Sequence, residues 1–275
     1  MLNYRRDCLK ADKRPNRIMA YTPKLKLVFV AGVEGVGHHG LNPVLKKSFE
    51  VSQQIQETSG SVILDKKRLK RVFNMLWCHE NSPWIVQKWA QWYSRYFFSK
   101  EQGIALKNKQ VRIFIEGNSF PAGRYRNPDR QWDLQEMINI VSPYAEIKFI
   151  ALYRDPIAST YSRQNMDGGL HNHAPVVKES LKYVNSQLSL IDPKDLLVVH
   201  YEDMINRKEE FAKVVAGYLG IRQSDVEEGL KLVRQSTKNW RHDLSAEDQN
   251  RLLDVFPPGC EKDWPILAKS DINRM

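Results

Sequence analysis

Apolar residues cluster into short runs that set the framework of this chain. Residues 25–31 (Leu-Lys-Leu-Val-Phe-Val-Ala) are apolar at almost every position, the pattern of a strand buried on both faces. Residues 111–115, 146–153 and 196–199 repeat it, and residues 61–64 form a shorter version. Between them, residues 41–56 predict a helix that tolerates Pro43 in its first turns, and residues 65–77 a basic helix. Residues 84–98 predict a third helix, with Trp84, Trp89, Trp92, Tyr93, Tyr96, Phe97 and Phe98 around its surface and most of these rings expected in the core. A helix is also expected over 133–141, another starting at Pro156, one over 207–219 closed by Gly220, and an amphipathic one over 246–255.

Buried strands alternating with helices predict an α/β fold: three layers, with a mostly parallel central sheet flanked by helices. The 275 residues suit one large domain over 24–275, preceded by a basic arm over 1–23 that carries Arg5, Arg6, Lys10, Lys13, Arg14 and Arg17. The arm has no apolar run that would serve as a signal peptide or anchor, so no membrane partner is expected. Cys8, Cys78 and Cys260 are odd in number and lack metal-ligand spacing, which points to free thiols in a reducing, cytoplasmic setting. The formal charge of +10 favours a polyanionic ligand without choosing among nucleotide, nucleic acid and acidic surface.

Three places carry candidate chemistry. After the first strand comes Gly32-Val33-Glu34-Gly35-Val36-Gly37-His38-His39-Gly40, a glycine-rich turn opening a helix. There, backbone N–H groups can close around an anion; the plain alternative is a turn with no ligand. His38 stands where a P-loop ATPase has its lysine and His39 where it has the magnesium-binding hydroxyl, so no metal is expected. The strand over 111–115 runs into Glu116, whose place at a strand's carboxyl end makes it either a base or an ordinary solvated or ion-paired carboxylate. The strand over 146–153 ends in Arg154-Asp155-Pro156, and Ser162 follows Arg154 by eight residues, so both side chains can reach one phosphate. Residues 121–132, rich in Gly, Pro and Arg, predict a loop, as do Gly168, Gly169 and the histidine pair His171 and His173. The two histidines have no acidic or cysteine partner at metal-binding spacing.

Four of these stretches, in order, resemble the sulfotransferases that use 3′-phosphoadenosine-5′-phosphosulfate (PAPS). They are the loop over 32–40, the Arg154/Ser162 pair after residues 143–150, the string Tyr201-Glu202-Asp203-Met204 with its helix ending Tyr218-Leu219-Gly220, and Lys238-Asn239-Trp240-Arg241-His242. The resemblance implies a P-loop-like sulfotransferase fold. It also implies transfer of a sulfuryl group to a hydroxyl or amine of a small-molecule acceptor, with 3′,5′-bisphosphoadenosine (PAP) as product and no nucleic-acid partner. By the same resemblance Gly35, Val36, Gly37, His38, His39 and Gly40 cradle the 5′-phosphosulfate, Arg154 and Ser162 take the 3′-phosphate, and Tyr201 lies by the adenine. Arg234, Lys238 and Trp240 belong to a segment closing over the nucleotide. The chain departs from the family where a basic residue is usual near Gly35 and where a histidine base is usual after the third strand. Glu116 is the substitute base by position, and His38 or His39 the substitute for the missing cation. The competing enzyme is a P-loop kinase for a nucleoside or other small molecule, and a basic nucleic-acid-binding protein is the non-enzymatic alternative.

Overall fold

The computed structural model describes residues 25–33, 35–55, 62–63, 72, 84–108, 111–120, 133–163, 169–234 and 239–274. Among these, five strands form one sheet: β1 (Leu25–Val33), β2 (Val62–Ile63), β3 (Arg112–Phe120), β4 (Glu146–Tyr153) and β5 (Leu196–His200). All neighbours are parallel and the order is β2-β3-β1-β4-β5. Leu27, Phe29, Val30 and Ala31 of the central β1 are wholly enclosed, as the unbroken apolar run requires.

Successive side chains of β3 show what covers each face. Gly117 faces α1 (His38–Ile55), where a Cβ would lie 2.1 Å from the Asn42 amide nitrogen. Phe114, on the opposite face, packs on Phe97 and Phe98 of α2 (Trp84–Lys107), and Arg112 pairs with Glu101 of the same helix at 2.7 Å. Helices thus cover both faces, and the three-layer α/β fold expected from the sequence is the one observed. The remaining helices are α3 (Leu134–Val141), α4 (Pro156–Ser162), α5 (Leu170–Leu188), α6 (Tyr201–Asn206), α7 (Lys208–Leu219), α8 (Gln223–Leu230), α9 (Trp240–Asp243) and α10 (Ala246–Val255). Gly220 ends α7 in the left-handed conformation, as its position predicts.

Several expectations are corrected. β3 does not stop at residue 115 but continues to Phe120, because Gly117 leaves room for Asn42 and the strand need not turn there. The rings of α2 divide by face. Phe97 and Phe98 are core, whereas Trp89, Trp92 and Tyr96 are more than half exposed, because Ala90, Ser94, Glu101 and Ala105 supply the rest of the buried stripe. His171 and His173 lie in α5 rather than in a loop; His171 meets Asp248 at 2.9 Å and His173 is buried. The arm over 1–23, the expected helix over 65–77 apart from Val72, and the loop over 121–132 lie outside the described residues. Cys8 and Cys78 do too, while Cys260 is a buried free thiol. No helix among the described residues is long and apolar enough to cross a membrane.

At the sheet's edge the outward N–H groups of β5 are occupied. Val198 donates to the Asp271 carboxylate at 2.8 Å and Leu196 to the carbonyl of Pro193. An edge so capped cannot recruit a further strand at those positions. At the sheet's middle, the chain leaving β1 heads towards β2, and the chain leaving β4 towards β5 on the other side. The connections diverge between the carboxyl ends of β1 and β4, and in open parallel sheets such a switch point forms the ligand crevice. Both the glycine loop and Arg154 open onto it.

Candidate functional site

The loop after β1 is shaped by two glycines with positive φ, 90° at Gly35 and 105° at Gly37. Neither tolerates a side chain. A Cβ on Gly35 would sit 2.4 Å from the Ser159 carbonyl oxygen and 2.7 Å from Ser162 Oγ, and one on Gly37 would sit 2.5 Å from the ring of Tyr201. The loop therefore lies in direct contact with α4 and α6, the two helices that begin after β4 and β5. Its exit is the first turn of α1, where Gly40 and Leu41 donate to the carbonyl of Gly37. The amides before them fall in the turn whose N–H groups have no intrahelical acceptor and where the helix dipole favours negative charge.

Arg154 and Ser162 converge on this loop from α4's two ends. Arg154 Nη1 donates to the Gly35 carbonyl at 3.2 Å, and Ser162 Oγ lies 3.4 Å from the same oxygen while donating to Ser159 at 2.8 Å. The Arg154 guanidinium stacks over Tyr201, 4.5 Å from the ring centroid. Asp155 is the N-cap of α4, accepting from the Ala158 amide at 2.7 Å, and Pro156 follows at the first helical position. Among the described residues Arg154 has no carboxylate within ion-pairing distance, and its Nε is buried without a hydrogen-bond partner. A half-buried cation with an unspent donor is costly unless something negative meets it. Arg154 lies beside the first turn of α1.

The two loop histidines differ. His38 is buried, its ring packed near Gly32, whose added Cβ would come within 3.2 Å of His38 Cε1; His39 is exposed in the first turn of α1. Val36 is buried behind the loop, and Gly40 closes against Met204, 3.4 Å from a Cβ position. Glu116 is not where the sequence placed it. It is level with Phe29, three positions short of Ser119, the partner of Gly32, and is 3 % exposed on the face it shares with Phe114. At about 3.3 Å per residue it lies roughly 10 Å below the rim. Its expected position at a strand's carboxyl end is therefore corrected.

Trp240 is buried, with Arg241 stacked on its ring at 4.3 Å, and it opens α9. That helix is tied to α4 beside Ser162: Tyr161 donates to Asp243 Oδ2 at 3.0 Å, and the Asn239 amide donates to the same oxygen at 2.8 Å. These bonds, the Asn239 amide foremost, then His242 and the Tyr161 hydroxyl, hold the Asp243 carboxyl below its ordinary range. Arg234 is exposed beyond α8, and Lys238 lies outside the described residues. Tyr161→Phe is expected to cost about 1 kcal/mol of stability, the worth of one hydrogen bond. Thermal denaturation checks the cost.

Sequence reasoning missed Glu202. It follows Tyr201 and accepts the Asp155 amide at 3.3 Å; the signal was its place in the string Tyr201-Glu202-Asp203-Met204. Burial raises its carboxyl above the usual range, against the pull of its own and the Asp155 amides and of Arg154.

No protein-family model matches the chain, and no curated protein matches it in sequence. Among solved structures it is similar to the mouse sulfotransferase SULT7A1 complexed with PAP, at 10% identity and a TM-score of 0.46, over 90% of this chain and 86% of that one. The sulfotransferase domain of the Synechococcus PCC 7002 olefin synthase gives 16% identity and a TM-score of 0.46, over 90% and 94%. Retinol dehydratase in complex with androsterone and inactive cofactor PAP gives 12% and 0.43, over 89% and 81%.

Proposed function

We propose that this chain transfers a sulfuryl group from PAPS to a hydroxyl or amine of a small-molecule acceptor, releasing PAP. The observation that carries the reading is the meeting of Arg154 and Ser162 on the Gly35 carbonyl at the sheet's switch point, with Arg154 Nε buried and without a hydrogen-bond partner. The crevice fits a nucleotide with phosphates at two positions. The glycine loop and the start of α1 offer backbone donors to one, Arg154 and Ser162 offer charge-assisted donors to the other, and Tyr201 presents a ring between α6 and the loop. The phosphosulfate supplies a sulfuryl group on a good leaving phosphate. His39, open at α1's first turn, stands ready to steady negative charge as that phosphate departs. Glu116, the base expected from the sequence, is enclosed in the sheet about 10 Å below the rim and is not proposed as the group that takes the acceptor's proton.

A thermal-shift comparison of PAP, ATP with Mg²⁺, and an oligonucleotide tests the reading. PAP at about 100 times its Kd should stabilise the chain by about 2.7 kcal/mol. Stabilisation by ATP with Mg²⁺ but not by PAP would support the kinase, and by the oligonucleotide alone a nucleic-acid-binding role. Sulfuryl transfer is also expected to survive EDTA undiminished, because His39 stands in place of a metal-binding hydroxyl. Activity lost with EDTA and restored by Mg²⁺ would contradict this.

A further inference from the structure

Glu202 is a largely enclosed acid one residue from Tyr201 and within electrostatic reach of Arg154. An acid so placed would ordinarily close on the guanidinium as an ion pair and fill the anion site from within. It does not. Its Oε1 accepts the Asp155 amide at 3.3 Å, and its carboxylate also accepts its own backbone N–H. Arg154 turns instead to the Gly35 carbonyl and the Tyr201 ring.

The turn after β4 is thus gripped from two helices. The Asp155 side chain caps α4 through Ala158, and the Asp155 amide is held by Glu202 at the start of α6. Arg154 is the residue between the end of β4 and this double hold. The charged neighbours are few: Arg154 and Asp155 from that turn, and on Glu202's own helix Asp203, which is engaged by Arg207 at 3.6 Å and by Ser270 at 2.8 Å.

We propose that Glu202 is a positioning residue for the nucleotide, holding the turn after β4 so that the Arg154 guanidinium stays presented to the 3′-phosphate. The proposal rests on the function argued above. It separates two properties of one side chain. The oxygen that accepts the Asp155 amide serves binding, whereas the negative charge, close to an incoming phosphate, opposes it. Because burial raises the carboxyl above its usual range, that charge is absent at low pH and develops as pH rises through the raised value.

The two substitutions that divide these properties are expected to act in opposite directions. Glu202→Ala removes the acceptor and should weaken PAP binding about 10-fold, the scale of one lost hydrogen bond. Glu202→Gln keeps an oxygen for the Asp155 amide and removes the charge. It should bind PAP as tightly as the unsubstituted chain or up to about 3-fold more tightly, with the advantage growing as pH rises. Calorimetric titration of the full chain with PAP at several pH values, with melting temperatures alongside, reads all of this. A merely structural role would weaken both variants in step with their melting temperatures, and that result overturns the proposal, as does unchanged binding by Glu202→Ala. If Glu202→Ala does not fold, Glu202→Gln decides alone: a pH profile identical to the unsubstituted chain's overturns the proposal. Failure of the unsubstituted chain to bind PAP would instead overturn the functional reading itself.

Discussion

Gly35→Ala is expected to abolish nucleotide binding and to lower the melting temperature by roughly 5–15 °C, corresponding to about 2–5 kcal/mol in a domain of this size. Two costs combine. A residue with a Cβ pays about 1–2 kcal/mol for positive φ, and Gly35 has φ 90°. The new methyl would also lie 2.4 Å from the Ser159 carbonyl oxygen, a backbone atom of α4 that cannot swing aside as a side chain could. Overpacking of this kind adds about 1–3 kcal/mol. Relief comes only by moving the loop off α4, which separates the Gly35 carbonyl from Arg154 and Ser162. Gly103→Ala is the matched control. That glycine lies in α2 with nothing within 4 Å of the added methyl, so the substitution should be neutral or stabilise by up to about 1 kcal/mol.

Arg154→Ala should cost about 2–4 kcal/mol of PAP affinity, roughly 30- to 1000-fold, the range for a desolvated, charge-assisted contact. The free chain should melt no lower than before, and higher if the unpaired cation is a burden on the fold. Arg154 leaves Nε unsatisfied, so its removal relieves a cost that offsets the lost bond to Gly35 and the lost stack on Tyr201. Arg154→Lys should recover only part of the loss, because an ammonium cannot both stack on Tyr201 and present a planar fork. Calorimetry with PAP and a melting curve without it separate the two effects. A lowered melting temperature with unchanged affinity would make Arg154 a structural residue.

The parts of this molecule that were legible in the sequence are those where one local signal decides. The strands β1, β4 and β5 are apolar at most positions, and their ends are marked by Gly32, Arg154 and Tyr201, each beginning a different local chemistry. The eight-residue step from Arg154 to Ser162 is likewise local, spanning one short helix with a proline at its start. What was lost depended on partners distant in sequence. Glu116-Gly117-Asn118-Ser119 has the composition of a turn, yet it is strand because Asn42 of α1 occupies the space beside Gly117. Helix α5 was hidden by Gly168, Gly169 and Pro175 near its start, although Ala174, Val177, Leu181, Val184 and Leu188 repeat at helical spacing and form its buried stripe. The rings of α2 could not be sorted from sequence, since seven aromatics within 84–98 give no phase. The phase comes from the smaller Ala90, Ser94 and Ala105, which lie against the core. The roles of Glu202 and of the Gly37–Tyr201 contact follow from β4 and β5 being neighbours, a fact of topology that no short motif contains.

A site formed by Arg154 and the loop at the switch point is expected to select a nucleotide carrying a 3′-phosphate. The direct measurement is calorimetric titration of the chain and of Arg154→Ala with two ligands, PAP and adenosine 5′-monophosphate, which differ only by that phosphate. The unsubstituted chain should prefer PAP by at least about 30-fold, a charge-assisted contact of about 2 kcal/mol, and Arg154→Ala should narrow the preference to within about 3-fold. Equal affinity for the two ligands, or a preference that survives the loss of Arg154, would contradict this.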